Sequence, residues 1–252
     1  MTELIEKPIQ VADEHYLLKI KCESKNSKAG QFINLKATTN TDPLIRRPFS
    51  IYNHYENIIE IIIRVIGKGT DLISKFDTGK INMLGPLGKG FTITEKKNIL
   101  LIGGGVGNAP LYYLGKKLKE KNNKLTYIYG SRSKNFIYQK KEFSDLFDKI
   151  HFVTDDGSEG EKGFVTDVAE KILANDKFDM IYTCGPTIMM KKVAEMSDII
   201  PVEVSVENYF GCGIGLCVGC TVELDGKQKR ACVDGPVFNG KSIGWERLME
   251  VD

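Results

Sequence analysis

Four of the six cysteines in this 252-residue chain fall between positions 212 and 232. The segment CGIGLCVGC spaces three of them as Cys212-x4-Cys217-x2-Cys220, and Cys232 follows after eleven intervening residues. Cysteine packs as a small hydrophobe, a role that alanine or valine could fill, so packing does not require this density. Four thiols in one short stretch read instead as a ligand set, and such a set dictates the local fold. TVEL, the turn pair Asp225-Gly226 and KQKRAC predict a β-hairpin whose closure brings Cys220 and Cys232 together. Gly211, Gly213, Gly215 and Gly219 let the preceding loop wrap tightly and turn backbone N–H groups toward sulfur.

What the set holds follows from spacing and compartment. The chain begins MTELIEKPIQVADEHYLLKI, without the basic region and apolar run of a signal peptide. No stretch reaches the roughly 18 apolar residues of a membrane span. A cytoplasmic protein is expected, where clustered cysteines bind metal or do redox work more often than they form disulfides. C-x4-C-x2-C with a later fourth cysteine is the ligand spacing of a [2Fe–2S] cluster. Structural zinc usually takes two close pairs. Here there is one C-x2-C, and His15, His54 and His151 lie far off in sequence, so zinc is the weaker alternative. Cys22 sits in a strand-like run and reads as core. A formal net charge of +2 gives no pull toward nucleic acid or an anionic membrane.

The rest of the chain changes texture once. HYLLKIKC, GQFINLKA, PFSIYNHY and IIEIIIRVIG are β-rich runs broken by turn residues, which predicts an antiparallel β-barrel. GKGTDLISKF reads as a short helix, and GKINMLGPLGKGF as a strand running into a loop. From Asn98 onward, strands (NILLIGGG, KLTYIYGS, IHFVTDD, FDMIYTCGP) alternate with helices (APLYYLGKKLKEK, QKKEFSDLF, VTDVAEKILA, TIMMKKVAEMS). That alternation predicts a doubly wound parallel sheet. The fold class is therefore a multidomain α+β and α/β chain. Its expected units are a barrel over 1–96, an α/β domain over 97–200 and a small Cys-rich unit over 201–252.

Two loops suit anionic ligands. Gly103, Gly104, Gly105, Val106 and Gly107 join a strand to a helix, where backbone can approach a pyrophosphate at the helix N-terminus. The pattern departs from strict G-x-G-x-x-G, and an unliganded tight turn is the alternative. Cys184-Gly185-Pro186 would lie beside it at the carboxyl ends of the strands, with Cys184 either facing a nicotinamide or packing under the sheet. The second loop places Gly67, Gly69 and Thr70 before the short helix. Arg46, Arg47 and Ser50 stand on a nearby strand.

At this point a resemblance is plain. Arg47-Pro48-Phe49-Ser50 resembles the R-x-[YF]-S flavin motif of the ferredoxin reductase superfamily, and GGGVGNAPL and CGP resemble its nicotinamide-domain motifs in the same order. The resemblance implies FAD on the barrel, with Arg47 on its pyrophosphate and Phe49 and Ser50 beside the flavin. Ile62, Ile63 and Arg64 would line the cofactor, and Gly69 and Thr70 would cap its phosphates. ENYFGCGIGLCVGC and ACVDGPVF extend the likeness, over nearly the full chain, to the electron-transfer subunits of class 1B dihydroorotate dehydrogenases. That family implies NAD(H), FAD and a [2Fe–2S] cluster on Cys212, Cys217, Cys220 and Cys232. It also implies a partner, an FMN-containing dihydroorotate dehydrogenase catalytic subunit, with two copies of each. Electrons would run from FMN through the cluster and FAD to NAD⁺.

Other readings stay open on the sequence. A similar diaphorase subunit would feed a hydrogenase, a sulfhydrogenase or another dehydrogenase. A zinc-stabilised, flavin-free binding module is the alternative of another class. After the second α/β strand the chain reads YGSRSKN, with no acidic residue for a ribose 2′-hydroxyl. Arg132 and Lys134 would suit a 2′-phosphate, against the NAD(H) that the resemblance implies. Asn108 replaces a commonly apolar residue and is expected to act as a helix N-cap. Val237 and Phe238, just past Cys232, are expected either to form a docking surface or to fill a small local core.

Overall fold

The computed structural model describes residues 2–24, 26–196 and 198–249. Eight strands form the first sheet: β1 (Glu3–Leu4), β2 (Ile9–Ala12), β3 (His15–Lys21), β4 (Phe32–Leu35), β5 (Arg47–Tyr55), β6 (Ile58–Arg64), β7 (Gly79–Lys80) and β8 (Met83–Leu87). They are ordered β7-β1-β3-β6-β5-β4-β8, with β2 also paired to β3. All pairings are antiparallel. The sheet curls into the expected barrel, left as a half-barrel because β7 and β8 end the path instead of pairing with each other. The alternating strand β3 and the isoleucine-rich β6 form its centre. Ile59, Ile61, Ile62 and Ile63 are all buried. Helix α1 (Lys68–Ser74) follows β6.

The second sheet contains β9 (Asn98–Gly104), β10 (Lys124–Ser131), β11 (Lys149–Thr154), β12 (Glu161–Lys162), β13 (Met180–Cys184) and β14 (Val202–Ser205). Helices α2 (Asn108–Lys119), α3 (Lys140–Leu146), α4 (Val165–Asn175) and α5 (Thr187–Glu195) connect them. The last position of the predicted TIMMKKVAEMS helix, Ser197, lies outside the described residues. Both faces of β9 are buried. Ile99 and Leu101 pack toward the barrel and α2, while Leu100 and Ile102 pack toward α4 and α5. Continuous apolar runs of this kind belong to parallel strands covered on both sides.

One further strand joins this sheet from the Cys-rich region. After the hairpin β15 (Thr221–Leu224) and β16 (Lys227–Arg230) and the single turn α6 (Ala231–Asp234), β17 (Val237–Asn239) pairs antiparallel with β14. The sheet order is β12-β11-β10-β9-β13-β14-β17. The cysteine loop is thus suspended between two neighbouring strands of the nicotinamide-type sheet. It packs back on the barrel, where the Phe32 and Phe210 rings lie 4.7 Å apart. The terminal α7 (Trp245–Met249) covers the hairpin.

Barrel and parallel sheet share one apolar core. Tyr52 of β5 stacks on Tyr112 of α2 at 4.6 Å. Lys116 Nζ donates to Asn53 Oδ1 (2.8 Å), Tyr113 Oη to the Ser27 carbonyl (3.0 Å) and Tyr182 Oη to the Thr92 carbonyl (2.6 Å). No helix among the described residues is long and apolar enough to cross a membrane.

Candidate functional site

A cleft of about 630 Å³ opens at the carboxyl ends of β9, β10, β11 and β13, with His15 and Arg64 of the barrel on its opposite wall. The strand order reverses between β9 and β13, which is where open α/β sheets bind ligands. Gly104 to Gly107 and Gly185-Pro186 line the cleft together, as the sequence order requires. Cys184 pairs in register with Gly103. The Cys184 side chain is fully buried, and burial holds its thiol well above the usual range. Cys184 therefore packs under the sheet and leaves the cleft wall to the two residues after it.

The glycine loop is fixed from beneath. Asn108 Nδ2 donates to the carbonyls of Gly105 (2.7 Å) and Gly130 (3.1 Å), and its Oδ1 accepts from Tyr127 Oη (2.9 Å). Tyr138 Oη donates to the Gly105 and Val106 carbonyls (3.3 and 3.2 Å). The N-cap expectation for Asn108 is corrected here. Gly107 occupies the cap, and Asn108 is the first helical residue, with its side chain turned into the core. An apolar residue there would leave Tyr127 Oη, itself fully buried, without this partner. Gly107 passes so close to β13 that a Cβ would meet the Cys184 carbonyl oxygen at 2.5 Å.

The cleft also holds an acidic residue that the sequence reading did not weigh. Asp155, just after β11, lines the wall with Arg132, just after β10. The acidic residue missing after the second strand is therefore available after the third. Lys134 is not among the lining residues. His15 Nδ1 donates to the Asp13 carbonyl (2.7 Å), and its buried Nε2 has no partner among the described residues. Burial, aided by Arg64, lowers the His15 pKa and favours the neutral ring.

The proposed flavin strand is half open where the motif lies. Arg47, Pro48, Phe49 and Ser50 are partly exposed, and the next four residues of β5 are buried. Arg47 lies over Gly69, where a Cβ would meet its Nε at 2.5 Å. Thr70 Oγ1 accepts from the N–H groups of Ile66 (3.0 Å) and Gly67 (3.2 Å), setting the loop before α1. A guanidinium beside a glycine turn fits a diphosphate. Arg46 does a different job. It donates to Asn82 Oδ1 (2.6 Å) and to the Asn82 carbonyl (3.1 Å), tying two barrel segments together. The Ile62 and Ile63 side chains are core, so only their backbone could face a cofactor. Arg64 reaches the cleft and donates to Glu14 Oε2 through Nε (3.0 Å) and Nη2 (2.9 Å).

In the cysteine loop, backbone N–H groups point at sulfur. Cys212 Sγ accepts from Ile214 (3.5 Å), Leu216 (3.3 Å) and Cys217 (3.4 Å), and Cys217 Sγ accepts from the Cys212 N–H (3.4 Å). The hairpin closes as expected through a turn with positive φ at Asp225 and Gly226. It places the Cys232 N–H 3.5 Å from Cys220 Sγ, with Cys232 on the α6 turn just past β16. Backbone N–H···S bonds thus link Cys212 with Cys217, and Cys232 with Cys220. Burial pushes the Cys212 thiol up, but its three N–H donors outweigh that and bring it down to about 6. Burial and the adjacent Cys220 push the Cys232 thiol up to about 12. Such donors stabilise anionic sulfur and tune a cluster's potential.

The rim of this loop is apolar and open. Leu216 is 79% exposed, Tyr209 68% and Val218 60%. Of the two outcomes expected for Val237 and Phe238, the local core is the one found. Phe238 is buried in β17, and Val237 packs against the core beside Gly30.

Residues 207–244 match the family model described as the iron-sulfur cluster binding domain of dihydroorotate dehydrogenase B. Residues 101–195 match the oxidoreductase NAD-binding domain. The electron transfer subunit of dihydroorotate dehydrogenase B (NAD(+)) from Bacillus caldolyticus is 39% identical over 223 residues, covering 85% of this chain and 86% of that one. Its counterpart from Desulforamulus reducens is 37% identical over 227 residues, covering 86% and 87%. The chain belongs to this family of dihydroorotate dehydrogenase B electron transfer subunits. It is an oxidoreductase subunit of NAD-linked electron transfer on a ferredoxin reductase-like fold, with an iron–sulfur domain at its C-terminal end. As an electron transfer subunit it implies a catalytic partner. Among solved structures, the NADH-dependent reduced ferredoxin-NADP oxidoreductase studied for flavin-based electron bifurcation superposes with a TM-score of 0.90 at 34% identity, over 99% of this chain and 92% of that one. A Neisseria gonorrhoeae ferredoxin NADP+ reductase with bound FAD and NADP shares the fold at a TM-score of 0.68 and 17% identity, over 82% and 98%.

Proposed function

We propose that the chain passes electrons between a partner dehydrogenase and NAD⁺, through a [2Fe–2S] cluster on Cys212, Cys217, Cys220 and Cys232 and an FAD on the half-barrel. The partner is an FMN-containing subunit that oxidises dihydroorotate to orotate in pyrimidine biosynthesis, with two copies of each subunit in the complex. When bound, the flavin supplies the exchange between a two-electron hydride and the single electrons a cluster accepts. Arg47, Gly69 and Thr70 hold its diphosphate, and Phe49 and Ser50 border its ring. Gly103 to Gly107 and Gly185-Pro186 frame the nicotinamide. Asp155 accepts from a ribose hydroxyl, and Arg132 meets the diphosphate or stacks on adenine. This favours NAD(H) over NADP(H). The working units are a flavin half-barrel over 1–96, a nicotinamide domain over 97–200 and a cluster unit over 201–252.

One observation carries the reading. The cysteine loop is slung between β14 and β17 of the nicotinamide-type sheet and folded back on the flavin-type barrel, with its apolar rim facing outward. A carrier there touches the flavin side on one face and offers the other to a partner. The isolated chain should oxidise NADH with artificial acceptors and make no orotate from dihydroorotate, and adding the FMN subunit should restore NAD⁺-linked turnover. Orotate formed by the chain alone would contradict the subunit reading. The likeness to the ferredoxin-NADP oxidoreductase favours a second reading, in which the same subunit serves another dehydrogenase. The protein that co-purifies with the chain decides between them.

A further inference from the structure

Asn34 lies on β4, directly across from Pro48 of the flavin-motif strand. Its side chain is completely buried, yet neither Oδ1 nor Nδ2 has a hydrogen-bond partner among the described residues. A buried amide left in this state is destabilising unless something satisfies it. The amide is aimed at the cysteine loop. A Cβ on Gly213 would collide with Asn34 Nδ2 and come within 3.4 Å of its Cγ. Gly213 has a φ of +74° and directly follows Cys212. A fully buried, unpartnered carboxamide therefore stands in the wall between the flavin strand and the first cluster cysteine.

We propose that the Asn34 side-chain N–H donates a hydrogen bond to the sulfur shell of the cluster beside Cys212, making Asn34 a positioning residue that helps set the cluster's potential. This rests on the cluster reading above. A sulfur shell offers acceptors only, which orients the amide with Nδ2 toward the loop. One-electron reduction adds one negative charge to the cluster, so an N–H donor favours the reduced form. The backbone donors around Cys212 and Cys217 come from the exposed loop itself, whereas Asn34 approaches from the barrel and is the buried side-chain donor on that side.

The test is a redox titration of wild type and Asn34→Leu, each in the full chain with FAD bound, followed by visible and electron paramagnetic resonance spectra. Reduction of the cluster in Asn34→Leu should become about tenfold less favourable, a fall of about 59 mV for one electron, with the flavin moving less. An unmoved cluster potential at full cofactor content would overturn the proposal, as would a shift confined to the flavin. If Asn34→Leu takes up no cluster, the wild type decides. Side-chain 15N-labelled asparagine should give a nitrogen coupling to the reduced cluster, and the coupling should persist in Asn208→Asp, which removes the one asparagine in residues 207–236. Absence of that coupling would overturn it too. Iron and sulfide analysis of the wild type separates failure of this proposal from failure of the cluster reading itself.

Discussion

The nicotinamide cleft and the cysteine loop are built on opposite principles. The cleft is finished by protein alone. Buried Asn108 and Tyr138 hold the glycine loop through its carbonyls, and Tyr127 anchors the Asn108 amide from beneath. The cysteine loop spends its N–H groups on sulfur instead. It contains no helix or strand between Ser205 and Thr221 among the described residues. A loop organised around four sulfurs, two of them at the surface side, takes its final rigidity from what the sulfurs bind. The difference teaches where each kind of damage should show. Breaking the cleft should weaken nucleotide use and spare the other cofactors. Breaking the loop should remove a cofactor outright.

The largest effect is expected from Cys217→Ser. Iron and acid-labile sulfide should fall from about two each per chain to near zero, with FAD retained and its reduction by NADH largely intact. Loss of flavin reduction as well would show that the two regions are not separable. Next comes Gly107→Ala. The added Cβ meets backbone, the Cys184 carbonyl, which cannot yield as a flexible side chain can. A displacement costing about 1.4 kcal/mol lowers kcat/KM for NADH about tenfold, while iron content stays at the wild-type level. A smaller change is expected from Asn108→Leu, which leaves the Tyr127 hydroxyl and the Gly130 carbonyl without their partner. Stability should drop by about 1–3 kcal/mol, read by chemical denaturation, and KM for NADH should rise. An unchanged KM would mean that the loop holds its shape without this bond.

The smallest effect concerns pH. His15 has a lowered pKa in the fold, mainly through burial and further through Arg64, against the opposing pull of the Asp13 carbonyl bond, Glu14 and Asp13. The unfolded chain binds a proton near pH 6.5 that the folded chain resists, so folding is favoured above that pH. This contribution is lost as pH falls through 6.5 toward the lower folded value. His54 is shifted the same way, chiefly by burial. Thermal melts at pH 7.5 and 5.5 should therefore show a larger drop for wild type than for His15→Leu, which keeps the His54 part. Equal drops would remove His15 from the account.

Much of this was readable from residue order, and the exceptions have physical reasons. The hairpin pairing Cys220 with Cys232 follows from Asp225-Gly226 between two short β runs. The crevice follows from glycine turns after apolar strands. Asp155 was missed because the usual acidic residue is sought after β10, whereas the third strand ends on the same crevice. Asn108 was misread because an asparagine near a helix start usually caps it, and only the fold shows Tyr127 waiting beneath. Asn34 sits in GQFINLKA, an ordinary strand run, and nothing in that run shows that its amide ends up against Gly213. The strands β1 and β2 are too short to show a period, and β17 becomes a strand only because β14 lies beside it.

The central claim is that one chain carries electrons from a nicotinamide cleft across a flavin strand to a four-cysteine cluster. Anaerobic titration of the purified chain with NADH, followed by visible absorption and low-temperature electron paramagnetic resonance, tests it most directly. The account predicts bleaching of an FAD spectrum together with the signal of a reduced [2Fe–2S] centre, and in Cys217→Ser the bleaching without that signal. Flavin bleaching in wild type with no cluster signal, or zinc in place of iron and sulfide, would contradict it.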